Sequence, residues 1–288
     1  MESITKVRTV KSLMRDMKKG VYNLSHPVQR KSNMWSKTEK ELLFDSLLKN
    51  IVLFPVVFCK QDEETFVIDG KQRLETLSSV INTDAFKEFT EEQQDIITSS
   101  EITTITYINC TDKEIFELFE RYNNGVSLTG SQKARSYTSI NTLQQIRELL
   151  EHPFINKCNF TKGQTKKAED EIVMIQAAMI ISNFDYKNFS FKEVNRFLQE
   201  NDDLSDYFTT IRLNMDILDK IVEEPNKNLK KLHLPFIIAN SKDTKGFKDG
   251  LLNFLNDYDN QEEYRSYCIG GTSQKTSIEF RNNFFKNL

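Results

Sequence analysis

The chain has 288 residues, of which 38% are hydrophobic and 28% charged, with 21 Phe and 9 Tyr. That is enough apolar material for a sizeable core and excludes a disordered chain. The longest apolar runs, 51–59 and 172–181, fall well short of the roughly 18 residues a membrane helix needs. The first residues carry no continuous apolar segment of the secretory type, and Cys59, Cys110, Cys158 and Cys268 stand far apart without CxxC or metal-type spacing. A soluble, cytoplasmic protein is expected, with two domains at roughly 150 residues per domain. The net charge of −3 divides unevenly: residues 1–40 hold ten Lys/Arg against Glu2, Asp16 and Glu39, so +7 there leaves −10 for the rest. Such a segment suits a polyanion. It equally suits a solvated helix face, since Lys11, Arg15, Lys18 and Lys19 fall at helical spacing.

In chain order, a short extended piece is expected at Val21–Leu24, followed by a helix to about Asn50 that opens on Ser36-Lys-Thr-Glu39. This is a capping-box pattern, in which the hydroxyl accepts from an N3 amide and the Glu reaches back to the cap. Pro55–Lys60 and Thr65–Asp69 flank a polar connection and predict a hairpin; Ile102–Asn109 alternates as a third strand. Further capping boxes stand at Thr90–Gln93, Thr111–Glu114, Thr129–Gln132 and Ser190–Glu193. The helix after Thr111 stops at Asn123-Asn124-Gly125. Beyond residue 140 the pattern is helical, over Thr142–Leu150, Glu169–Ile181, Lys192–Glu200, Tyr207–Val222, Phe247–Tyr258 and Ser277–Leu288. The organisation expected is an α/β domain over 1–140 packed against an all-α domain over 141–288.

The stretch from Phe66 to Leu77 carries the strongest chemical signal. An apolar strand ends at Asp69, Gly70 permits a sharp turn, and an amphipathic helix begins near Lys71. A helix N-terminus reached through a glycine turn offers backbone N–H groups and a positive dipole end to an anion. Lys71 and Arg73 add two cations suited to phosphate, and Asp69 is placed to hold magnesium or orient a water. The same residues also suit a plain strand–turn–helix, with Asp69 as cap and Arg73 paired to a surface acid.

The motifs around this stretch extend the signal. Gln29-Arg30…Trp35, Leu42…Ser46-Leu47-Leu48, Pro55, Ile68-Asp69-Gly70-Lys71-Gln72-Arg73…Thr76-Leu77 and Phe119…Asn123…Gly125…Leu128 occur in that order. The sequence thereby resembles the ParB/sulfiredoxin-like family typified by the N-terminal half of GmrSD modification-dependent restriction enzymes, firmly over about 20–140 and loosely beyond. The resemblance implies an α+β architecture with a ParB/sulfiredoxin-like N-terminal domain. It also implies binding and hydrolysis of a nucleoside triphosphate with Mg2+, and a role in defence against foreign or modified DNA. Carried over, Asp69, Gly70, Gln72 and Arg73 form the nucleotide site, with Asp69, Arg73 and Gln72 catalytic and Asp69 the metal ligand. Gln29, Arg30 and Asn123 line the site from neighbouring segments. Lys71 stands where the family has Gln and adds a charge beside the phosphates. DNA is the implied partner, with a nuclease or other defence protein beside it; a homo-oligomer is compatible and no membrane is involved. His26, His152 and His233 stand alone, without a His-Asn-His pattern. Nuclease activity would therefore come from a partner or from the α/β domain. Three readings follow: an NTPase acting on or near DNA, a nickase using the same pocket, and a regulator that binds DNA or a partner without catalysis.

The remaining candidates have simpler readings. His152 ends a helix as a cap and His233 sits in the core. Phe184, Tyr186, Phe189 and Phe191 could stack bases, but Phe189 and Val194 flank the Ser190 cap as a hydrophobic staple. Gly270-Gly271-Thr272-Ser273 is a weak anion-loop pattern, and Lys162, Lys166 and Lys167 make a basic surface loop.

Overall fold

The computed structural model describes the chain except Pro27, Val28, Arg30, Lys31, Asn33, residues 124–133 and 135–137, and the side chain of Asn123. It divides into two compact units, Met1–Ser127 and Leu128–Leu288. The first is a mixed α/β unit, with strands β1 (Glu2–Thr9), β2 (Val56–Gln61), β3 (Glu64–Asp69) and β4 (Glu101–Ile108). They form one sheet in the order β1-β4-β2-β3. β2 and β3 are the expected antiparallel hairpin, with a register shift between Val57 and Phe58 and a turn that puts Asp62 at φ +51°. β4 runs parallel to β2. Asn23 adds a short parallel bridge to Phe66, outside the hairpin.

β1 is the element the sequence did not announce. It pairs antiparallel with β4 along its whole length, from Glu2 opposite Ile108 to Thr9 opposite Glu101. Six of its eight residues are exposed, so no buried face imposes a period of two on the sequence. Lys11, Arg15 and Lys18 lie exposed on the following helix, α1 (Val10–Lys18), whose Val10, Leu13 and Met14 are buried. Those charges make the solvated face that their spacing allowed.

The unit's other helices are α2 (Lys37–Leu48), α3 (Lys71–Ile81), α4 (Glu91–Ser99) and α5 (Asp112–Asn123). Complete capping boxes open α2 at Ser36/Glu39 and α4 at Thr90/Gln93. Thr111 and Glu114 exchange the same bonds before α5. Leu13, Leu47, Phe58, Val67, Leu74 and Ile102 meet in the core between helices and sheet.

Every named element of the second unit is helical: α6 (Ile140–Leu150), α7 (Lys162–Lys166), α8 (Glu169–Ile181), α9 (Phe191–Glu200), α10 (Ser205–Ile221), α11 (Leu234–Asn240), α12 (Lys245–Asn256), α13 (Glu262–Ser266) and α14 (Lys275–Lys286), with short 3-10 turns between some of them. α7, α11 and α13 were not foreseen, because five to seven residues are too few to display a helical period. α8 is buried on nearly every side, as expected of a helix apolar all round. The box expected at Ser190 does not form. Glu193 accepts instead from the Lys187 amide and pairs with Arg196, and the Ser190 side chain makes no cap bond. The box expected at Thr129 lies outside the described residues. No described helix is long and apolar enough to cross a membrane.

Candidate functional site

The site is assembled where β3 turns into α3. Val67 and Ile68 are fully buried, which fixes the end of β3, and the chain then reverses at Gly70 with φ +92°. A Cβ there would lie 3.0 and 3.2 Å from the Val56 methyls and 3.1 Å from Arg73 Nη2, so both the backbone angle and the space demand glycine. Gly70 is the N-cap residue and brings no side-chain cap to the first amides of α3.

Arg73, one turn along, folds back over the junction. Its Nη2 donates to Asp69 Oδ2 at 2.9 Å and to the Pro55 carbonyl at 3.0 Å, while Nη1 donates to the Phe54 carbonyl. The Arg73 side chain is 11% exposed against 35% for that of Asp69. Burial lowers the Arg73 pKa, and the charge and hydrogen bond of Asp69 oppose that loss. Of the two simple readings, Asp69 is therefore not the helix cap. Arg73 is paired with an acid, and that acid is Asp69 itself. An ionised carboxylate has about four lone-pair sites, so the bond to Oδ2 leaves Asp69 further capacity to accept.

The segment before α2 is pinned onto this junction. Gln29 is buried, and its Nε2 donates to the carbonyls of Val67 and Ile68. Gln72 Oε1 accepts from the amides of Met34 at 2.8 Å and Trp35 at 3.3 Å. The Lys71 side chain, in the first turn of α3, is 5% exposed, with Nζ 3.9 Å from Glu75 Oε1. Arg30 lies outside the described residues. So does the side chain of Asn123, whose backbone closes α5. The junction thus gathers Asp69, Gly70, Gln72, Arg73 and Gln29.

Two tyrosines that the sequence reading passed over pair with each other, and one of them, Tyr122, senses the same carboxylate. Tyr107 on β4 and Tyr122 on α5 share a hydrogen bond of 2.8 Å between their hydroxyls. Burial first, then Tyr107, then the Asp69 charge push the Tyr122 phenol up to about 12. The only advance signal was position, since Tyr122 immediately precedes Asn123.

The donor set can be tested against the expected ligand. Among the described residues no three His, Cys, Asp or Glu side chains converge as a metal cage. A single carboxylate does suit Mg2+, which keeps its waters and is commonly held through one or two carboxylates plus substrate phosphates. The fit is to a metal–nucleotide pair rather than to a free ion.

Elsewhere the histidines and aromatics are satisfied within the fold, His152 as the N-cap of the 3-10 turn Pro153–Lys157 rather than as a cap on the helix before it, which ends on Glu151. His152 receives the Phe154 amide on Nδ1 at 3.2 Å and bonds Asp216 through Nε2 at 3.0 Å. His233 is fully buried against Tyr264. Phe184 packs on Phe197 beneath the Arg196 guanidinium, and Phe189 stacks on Phe236.

Comparison with known protein families gives one match: the model of the GmrSD restriction endonuclease N-terminal domain covers residues 10–267. A search of curated proteins finds no match to the chain.

Proposed function

The chain belongs to the family of the GmrSD restriction endonuclease N-terminal domain, which carries a restriction and defence role, and we propose that it binds and hydrolyses a nucleoside triphosphate while acting on DNA. The fold proposed for Met1–Ser127 is the ParB/sulfiredoxin-like one. The reading is carried by one observation: a carboxylate clamped by an arginine at a glycine turn that opens a helix of eleven residues.

The chemistry follows from that arrangement. The first amides of α3, at the positive end of the helix dipole, receive phosphate oxygens. Arg73 holds Asp69 in one orientation, so that its remaining lone pairs direct an attacking water toward the phosphorus. The N–H groups of Arg73 beyond those given to Asp69, Phe54 and Pro55 are left for a phosphate oxygen. Gln29 and Gln72 act on the frame, the first by fixing the end of β3 and the second by tying Met34 and Trp35 to α3. When bound with the nucleotide, Mg2+ supplies neutralisation of phosphate charge, with Asp69 as its protein ligand.

The test is phosphate release from each of the four ribonucleoside triphosphates with magnesium, with and without DNA, for wild type and Asp69→Asn. The substitution keeps an oxygen for Arg73 but loses the carboxylate. Wild type should turn over at least one nucleotide, and the variant should fall by about a hundredfold or more while remaining folded by circular dichroism. Equal turnover by the variant would remove Asp69 from the reaction. No release from any nucleotide overturns hydrolysis and turns the question to nicking of supercoiled plasmid.

A further inference from the structure

The second unit holds a cavity of about 320 Å3 among α8, α11 and α14, near the lower end of the roughly 300–1,000 Å3 common for small-molecule sites. At its wall lies Arg281, 1% exposed. Its Nε donates to the Ser277 carbonyl at 2.9 Å, Nη1 to the Leu232 carbonyl at 3.1 Å, and Nη2 to the Thr272 carbonyl. Its Cζ stands 4.8 Å from the centre of the Phe236 ring. Those bonds use three of the five N–H groups of a guanidinium. No carboxylate among the described residues pairs with it; the groups whose charge it senses are Tyr264, Cys268 and Tyr258. Of the charged residues in the cavity lining, Lys231 and Glu169 pair with each other.

A buried cation met only by carbonyl dipoles and an aromatic face retains a net positive field, because dipoles do not cancel its charge. Beside it the lining is apolar: Phe189 and Phe236 stack with 7° between their planes, and Ile172 and Val173 also line the cavity. Gln176 adds a half-buried amide, and Thr272 and Ser273 of the glycine loop line the rim. The loop is tied to the segment before α9 by the Phe189 amide, which donates to the Ser273 carbonyl. We propose that this cavity is a binding site for a small organic anion with a flat apolar body, its charge facing Arg281 and its ring lying along Phe189 and Phe236.

Arg281 ties two loops to α14, so the diagnostic substitutions are placed on the wall and at the mouth instead. Gln176→Glu puts a carboxylate of nearly the same shape inside the cavity, and Ser273→Trp covers an exposed rim position. The probes are benzoate and its neutral isostere benzamide, titrated calorimetrically into the intact chain. Benzoate should bind about tenfold or more tighter than benzamide, as expected of a charge-assisted hydrogen bond over a neutral one. Gln176→Glu should erase that preference, and Ser273→Trp should weaken both probes. Equal affinity for the two probes, no binding of either, or binding indifferent to both substitutions would overturn the proposal.

Discussion

Each unit of this protein buries an arginine, and the two are satisfied in different ways. Arg73 reaches two backbone carbonyls and an acid, Asp69. Arg281 reaches three carbonyls and an aromatic ring, with no acid. The hydrogen-bond count is the same, but the electrostatic result is not. A carboxylate cancels the charge locally and leaves a closed junction, whereas carbonyl dipoles leave a net positive field. The first arrangement makes Arg73 a clamp that aims Asp69; the second makes Arg281 an attractor for an anion.

His233 reports on the second field. It is fully buried, and burial first, then the charges of Arg281 and Lys230, lower its pKa to about 3. In the unfolded chain the imidazole titrates near 6.5. Between those values the unfolded state binds the additional proton, so the stability of the helical unit is level above about pH 6.5 and falls as the pH drops toward 3. The loss should be on the order of 4–5 kcal/mol by the lower limit. Urea unfolding followed by helical circular dichroism should show this slope in wild type and a shallower one in His233→Asn. Identical slopes for wild type and variant would mean that His233 is not held neutral, and the contrast between the two arginines would lose its second half.

The glycine turns beside the two arginines differ in the same direction. Gly70 combines φ +92° with Val56 and Arg73 against its Cβ position; Gly270 has φ +63° and nothing within 4 Å. Gly270→Ala should cost about 1 kcal/mol from the left-handed backbone alone. Gly70→Ala adds overpacking against β2 and should cost about 3 kcal/mol in total. Chemical denaturation of the two variants separates a turn built into a core from one at a cavity rim. Equal costs would show that β2 yields to the added methyl, and with it the junction that holds Asp69.

The sequence made the closed junction legible and left the open cavity hidden, for a physical reason. Asp69, Gly70 and Arg73 lie within five residues, so one turn of chain brings them together and their spacing carries the signal. Thr272 and Arg281 meet Phe189, Gln176 and Leu232 only through tertiary packing, and Arg281 reads in sequence as the polar side of an amphipathic helix. For Lys71, spacing gives the helix start but not the direction of the side chain, which is buried with Nζ 3.9 Å from Glu75 Oε1. Gln29 was placed at the site, though its work there is to hold carbonyls of β3. β1 escaped because a strand exposed on both faces has no apolar alternation.

The helix caps give the smallest and sharpest test of how far local pattern reaches. Ser36 and Ser190 carry the same box in sequence, each with Glu three residues on. Ser36 accepts from the Glu39 amide at 3.3 Å, and Glu39 returns to the Ser36 amide at 2.7 Å. At Ser190 the returning acid is diverted to Lys187 and Arg196, and the serine amide is taken by Asn188. Ser36→Ala should therefore cost about 1 kcal/mol, the usual worth of a formed cap, and Ser190→Ala only a few tenths. Equal losses would mean that Ser190 does cap α9 in solution, with Glu193 exchanging between Arg196 and its own helix start. A smaller loss at Ser190 would show that an arginine within reach of Glu193 outbids the box.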